Sequence, residues 1–215
     1  MIKIDLHTHS VGSPDGGITL EEYARLLDDK VLDMIAVTDH DSIEQALAIQ
    51  NKLGPRIIIG EEITSLEGEI IGLFLSQKVE PGLSALQTVQ AIKSQGGLVY
   101  IPHPFETVRK GVTQAAIDSI SDEIDIVEVY NGRAVFQNKG PQALTWARLN
   151  NKIGAASSDA HGLKGVGTTY SSVETVPVKE SFLEVLKTAR LTTKRPPLLS
   201  LFYPKYNRFR AKIKK

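Results

Sequence analysis

Short apolar runs alternate with amphipathic stretches along almost the whole chain. Ile2–His7 opens as a strand, and Met34–Thr38 reads as a buried one from its continuous apolar character. Further strands are expected at Arg56–Gly60, Glu69–Leu75, Leu98–Ile101, Ile126–Tyr130, Ile153–Ala156 and Thr169–Val173. Between them, Thr19 with Glu22, Ser42 with Gln45 and Ser84 with Gln87 have the spacing that opens a helix. Tyr23, Leu26 and Leu27 mark the apolar face of the first helix; Leu86, Val89 and Ile92 mark that of the third. Other helices are expected near Thr113–Ile120, Pro141–Asn150 and Lys179–Ala189. Strands alternating with helices imply a parallel sheet with right-handed crossovers, and about seven such units suggest a closed barrel. No Gly-x-Gly-x-x-Gly follows the first strand, which argues against an open nucleotide-binding sheet. The expected organisation is a single α/β barrel over residues 1–195. Lys194-Arg195-Pro196-Pro197 breaks the pattern, leaving a basic, aromatic tail at 196–215.

Composition narrows the chemistry. A chain of 215 residues suits one sizeable domain, and no apolar run approaches the ~20 residues of a membrane span. The N-terminus enters a strand pattern at once, with no room for a signal or transit segment; with cysteine absent, a cytoplasmic location is expected. The lack of cysteine also excludes disulfides and thiolate ligands, so any metal must be held by nitrogen and oxygen. The net charge of zero hides an asymmetry. Residues 1–184 hold 15 cations against 25 acids, a formal −10, and residues 185–215 carry +10. An acidic body suits cation binding, and a basic tail suits contact with anions.

The polar residues fall in a pattern. His7 and His9, at i and i+2 on extended backbone, share one side of a strand and can chelate one ion. The other histidines, His40, His103 and His161, also lie at expected C-terminal strand ends. In a barrel those ends form one rim, where active sites are built. Asp15, Asp39, Glu62, Glu128 and Asp159 occupy equivalent positions. Imidazole and carboxylate without thiolate favour divalent Zn, Mn or Fe, and the number of candidates points to two or three ions.

Four elements in order resemble the PHP (polymerase and histidinol phosphatase) metallophosphoesterases over about residues 1–175. These are Asp5-Leu6-His7-Thr8-His9-Ser10 with Asp15, then Ala36-Val37-Thr38-Asp39-His40-Asp41. Next come Gly60-Glu61-Glu62 with Ile101-Pro102-His103-Pro104, and finally Ser158-Asp159-Ala160-His161-Gly162. The resemblance implies a distorted (βα)7 TIM-like barrel with a mainly parallel sheet and a trinuclear site. It implies His7, His9, Asp15, His40, Glu62, His103, Asp159 and His161 as ligands, with Glu62 bridging. One departure stands out: in Glu69-Ile70-Ile71-Gly72 a glutamate occupies the place of a family histidine, so Glu69 is either a ligand or a strand-edge residue in solvent.

The reaction this implies is hydrolysis of a phosphate ester by metal-activated hydroxide. A small phosphomonoester fits the short spacings between motifs, and an oligonucleotide end could also enter. Arg109, Lys110 and Arg133 are the candidates for phosphate contact, with Lys164 a further one. Asp39 is expected to orient His40 or a water, with Glu128 and Asn131 as supports. Asp159, His161 or a bound water could protonate the leaving group. The alternatives are a metal-dependent amidohydrolase and a non-catalytic, metal-stabilised module. In the tail, Lys205, Arg208, Arg210, Lys212, Lys214 and Lys215 interleave with Tyr203, Tyr206 and Phe209. It could contact nucleic acid or an anionic surface, or be a disordered or oligomer-contacting end. No feature of the sequence assigns an oligomeric state.

Overall fold

The structure is a computed structural model and describes residues 1–135 and 137–213; Lys214 and Lys215 of the tail lie outside the described residues. The chain runs β1 (Ile2–Asp5), α1 (Leu20–Asp28), β2 (Met34–Val37), α2 (Glu44–Leu53), β3 (Ile57–Ser65) and β4 (Gly68–Leu73). It continues with α3 (Ala85–Ser94), β5 (Leu98–Ile101), α4 (Gln114–Ser119), β6 (Ile126–Asn131), α5 (Gly140–Leu149) and β7 (Ile153–Ser157). Then come β8 (Thr169–Val173), α6 (Phe182–Leu186), β9 (Arg190–Thr193) and α7 (Tyr203–Ile213). All nine strands form one sheet in the order β7-β6-β5-β4-β3-β2-β1-β8-β9.

The sheet curls into a nearly closed, distorted TIM-like barrel, and its closure creates the site. Past Asp5 the regular β1 ladder ends, and Thr8 forms a parallel bridge with Ala160 beyond β7. His9 N donates to Ala160 O at 2.9 Å, and Asp159 N donates to His7 O at 2.9 Å. The first and seventh strands therefore meet at the rim, where four candidate side chains project.

The barrel departs from seven parallel units in a way that matters. A tight turn at Leu66-Glu67 joins β3 directly to β4, so β4 runs antiparallel to both β3 and β5. Its first residues, not its last, therefore lie at the rim. At the other edge β8 is antiparallel to β1 and to β9. The expected helix over 179–189 is only one and a half turns at Phe182–Leu186, and Arg190–Thr193 pairs with β8 as an additional strand.

Alternation along the strands makes two cores. Met34, Ala36, Ile58, Ile71, Leu73 and Ile126 face inward with Ile4 and Leu6, while Ile35, Val37, Ile57, Ile59 and Val127 pack outward under the helices. Phe182 and Leu186 join the inner cluster, and Phe182 meets the Phe74 ring edge-on at 5.0 Å. Phe74 follows the far end of β4, so α6 closes the end opposite the rim. Burying the Phe182 side chain fully contributes about 1.5–3 kcal/mol by area alone.

The helices start largely where their sequence signals place them. Thr19 with Glu22 and Ser84 with Gln87 form complete capping boxes. Ser42 with Gln45 does not. Helix α2 begins at Glu44 with no side-chain cap, because the Ser42 hydroxyl donates to the Glu44 carboxylate instead. No helix among the described residues is long and apolar enough to cross a membrane. In the described part of the tail a 3-10 turn at Leu198–Phe202 leads into α7, which packs back over the rim.

Candidate metal centre

All five imidazoles converge at the barrel mouth, four of them around one carboxylate. Glu62 lies on the inward register of β3, with Ile58 two steps behind it. Its Oε2 is 3.3 Å from His7 Nε2, 3.3 Å from His9 Nε2 and 3.3 Å from His40 Nδ1. Its Oε1 is 3.1 Å from His103 Nε2. Asp159 Oδ1 lies 3.6 Å from His7 Nε2 and 3.4 Å from His9 Nε2. Asp15 reaches His161 Nε2 at 3.6 Å and His40 Nε2 at 3.7 Å. Four sets of donor atoms lie mutually within 4.8 Å: His9, Asp15, His40 and His161; His7, Glu62 and His103; His7, His9 and Asp159; His40, Glu62 and Glu69.

Glu69 belongs to this cluster and is not an edge residue in solvent. It is 7 % exposed, 3.9 Å from His40 Nδ1 and 3.8 Å from His103 Nε2. The antiparallel direction of β4 accounts for this, since it brings the start of that strand to the mouth.

The electrostatics describe groups that a divalent cation would reconcile. Burial drives the His9 imidazole down to about 3, with the His161 charge adding to it. Burial, then the Glu62 charge, pushes the Glu69 carboxyl up to about 7. Burial opposes ionisation of Asp159, yet Arg133 and His7 hold it well below the usual carboxylate range. Burial likewise opposes charge on Glu62, but His7 and His40 hold it well below that range. His7 Nε2 and His9 Nε2 face each other at 3.1 Å, and Asp15 Oδ1 and His103 Nδ1 are buried without a hydrogen-bond partner. Nitrogen and oxygen donors, crowded and under-satisfied, fit divalent ions.

A second ring of contacts sets the ligand geometry. His7 Nδ1 is 3.2 Å from Glu128 Oε1, which also accepts from Tyr100 OH at 3.0 Å. The other Glu128 oxygen accepts from His103 N and from Asn131 Nδ2, both at 2.7 Å. Glu128 and Asn131 thus support the rim as expected. His161 Nδ1 lies 2.9 Å from the Asp159 carbonyl; as the donor there, it leaves the Nε2 lone pair for the mouth. His103 at φ +28° and Asp159 at φ +53° hold left-handed backbone, a strain of about 1–3 kcal/mol that the packed rim sustains.

Other expected residues are placed differently. Asp39 does not bond the His40 ring. It accepts from Ser10 N at 2.7 Å and from the Ser10 hydroxyl, bracing the first loop. Arg109 is engaged by Glu106, Asn131 and Asp159, and Arg133 reaches Asp159 Oδ1 at 3.2 Å. Lys110 lines the cleft, whereas Lys164 sits exposed on the 3-10 turn Leu163–Gly165. Sequence reasoning missed three contributors. Tyr100 carries no motif, and Asn207 and Arg208 reach the site from the far end of the chain. A cleft of about 1160 Å³ opens over the rim and is walled on one side by α7.

A barrel with a histidine and carboxylate mouth defines a metal-site α/β barrel protein. Residues 140–191, which include Asp159 and His161, match the family described as PHP-associated. The chain is 31 % identical over 150 residues to the uncharacterized protein MJ1587 of Methanocaldococcus jannaschii, covering 64 % of this chain and 88 % of that one. It is 30 % identical over 203 residues to MJ0417 of the same organism, covering 86 % and 79 %. Among solved structures, it resembles a two-domain Bacteroides vulgatus protein containing a predicted PHP-like metal-dependent phosphoesterase, with TM-score 0.72 and 19 % identity. That match covers 90 % of this chain and 65 % of the other, so the chain spans just under two thirds of that neighbour. The lesion-specific endonuclease of Pyrococcus furiosus shares the fold at TM-score 0.63 and 17 % identity, over 88 % of this chain and 57 % of the endonuclease. The chain belongs to the PHP domain family.

Proposed function

We propose that the protein is a metal-dependent phosphoester hydrolase holding two or three divalent ions, Zn, Mn or Fe, at the barrel mouth. The observation that carries this is the position of Glu62, one carboxylate against four imidazoles, which joins ligand sets that overlap rather than stand apart. His7, His9, Asp15, His40, Glu62, Glu69, His103, Asp159 and His161 would be the ligands. Bound ions would supply Lewis-acid charge to phosphate oxygens and water acidified to near neutrality.

The chain's own residues bind and orient. Both oxygens of Asp159 are engaged, Oδ1 by Arg133 and the imidazoles, Oδ2 by Arg109 and Asn131. With His161 Nδ1 donating to a carbonyl, these two residues suit ligand roles better than delivery of a proton to the leaving oxygen. Arg133, Arg109 and Lys110 stand beside them and offset the charge of a bound phosphate. The PHP-associated match over residues 140–191, and the fold shared with a protein containing a predicted PHP-like metal-dependent phosphoesterase, support this reading.

The test is turnover of p-nitrophenyl phosphate by protein reconstituted with Mn²⁺ or Zn²⁺, alongside amide and lactone panels. Phosphoester turnover alone is expected, and the double variant His7→Ala/His9→Ala should lose it together with at least one equivalent of metal. Turnover confined to amides or lactones would establish an amidohydrolase. A higher melting temperature with metal, and no turnover in any panel, would establish a metal-stabilised module.

A further inference from the structure

We infer that α7 completes the substrate cleft, with Arg208 holding the phosphoryl group and the Tyr206 and Phe209 rings flanking a planar ring on the esterified alcohol. This deepens the phosphoesterase reading and rests on it. The first observation is that α7 is built into the rim. The Asn207 amide, 8 % exposed, donates from Nδ2 to the carbonyls of Asp15 and His161, both at 2.9 Å. It therefore ties together two loops that carry metal donors. Gly17 and Gly162 permit the approach, since a Cβ at either would come within 2.8 Å of Asn207 or of the Tyr203 ring.

Charge at the rim is the second. Arg109 is held by two carboxylates, Glu106 and Asp159, and Arg133, paired with Asp159, is only 20 % exposed. Among the described residues Arg208 makes a single ion pair, to Asp15 Oδ2 at 2.6 Å, while its side chain is 63 % exposed and lines the cleft. A planar guanidinium with free donors beside a metal-binding carboxylate suits bidentate contact with a phosphate.

Apolar surface is the third. Tyr206 and Phe209, three residues apart and so on one side of the helix, line the same cleft and remain more than half exposed. Arg210 lies 5.7 Å from the Tyr206 ring centroid and braces it. Large aromatic surface left open within a phosphate-binding cleft matches stacking on a planar group.

The experiment uses the full chain, reconstituted with metal. Inorganic phosphate affinity is measured by calorimetry, and phenylphosphonate and methylphosphonate are compared as inhibitors of p-nitrophenyl phosphate turnover. Arg208→Ala should weaken phosphate binding and raise KM by about tenfold each, with metal content kept, and Arg208→Lys should recover part of the loss. Wild type should prefer phenylphosphonate to methylphosphonate by about tenfold, and Tyr206→Ala/Phe209→Ala should erase that preference without altering phosphate affinity. Unchanged phosphate affinity in Arg208→Ala overturns the inference, as does loss of metal from that variant, which would make Arg208 structural. Equal inhibition of wild type by the two phosphonates also overturns it. A wild-type protein that hydrolyses no phosphoester removes the underlying reading and this inference together. An active one indifferent to Arg208→Ala removes the inference alone.

Discussion

His7 and Glu128 are 121 residues apart, yet the His7 Nδ1 atom lies 3.2 Å from a Glu128 oxygen that is itself held by Tyr100 OH. The contact orients the imidazole so that Nε2 faces Glu62 and Asp159. Glu128→Gln should lower metal affinity by about 10–100-fold while leaving the fold intact. Competition titration against a chromophoric chelator reads this directly, and wild-type affinity in the variant would show that Glu128 does not orient His7.

Chelation should destabilise the whole domain. The buried carboxylates Glu62, Asp159 and Glu69 crowd the mouth, and ions that bind only the folded state stabilise it by mass action. Removing metal with EDTA should lower the melting temperature by about 5–10 °C for a domain of this size. Scanning fluorimetry with and without chelator, followed by metal add-back, measures it.

Glu69 stands at the mouth between His40 and His103. Glu69→Ala should cost one metal equivalent or weaken it by at least about tenfold, and Glu69→His should restore it, since imidazole suits the same ions. The count comes from elemental analysis of dialysed protein. Full stoichiometry in Glu69→Ala would leave Glu69 a bystander near His40 and His103.

At the opposite end of the barrel, Phe182→Ala empties a fully buried site against Phe74 and should cost about 3–5 kcal/mol of stability. Urea unfolding of metal-loaded protein gives the value. Metal stoichiometry in the still-folded variant should be unchanged, because the substitution lies across the barrel from Glu62.

The sequence alone determined the repeating strand-and-helix pattern and the place of every histidine at a strand end. Apolar runs and capping signals are local, so the buried strand at Met34 and the Thr19–Glu22 cap were legible without a structure. Three decisions needed the tertiary structure. Strand direction made Glu69 a rim residue, because a tight turn reverses β4 whereas a helical crossover would not have. Closure between β1 and β7 set His7 and His9 against Asp159, through bonds that only the curled sheet permits. Docking of α7 brought Arg208 to within 2.6 Å of Asp15 across 193 residues, and composition showed only a basic, aromatic end. Pairing over such separations depends on how distant elements pack, and no local spacing records it.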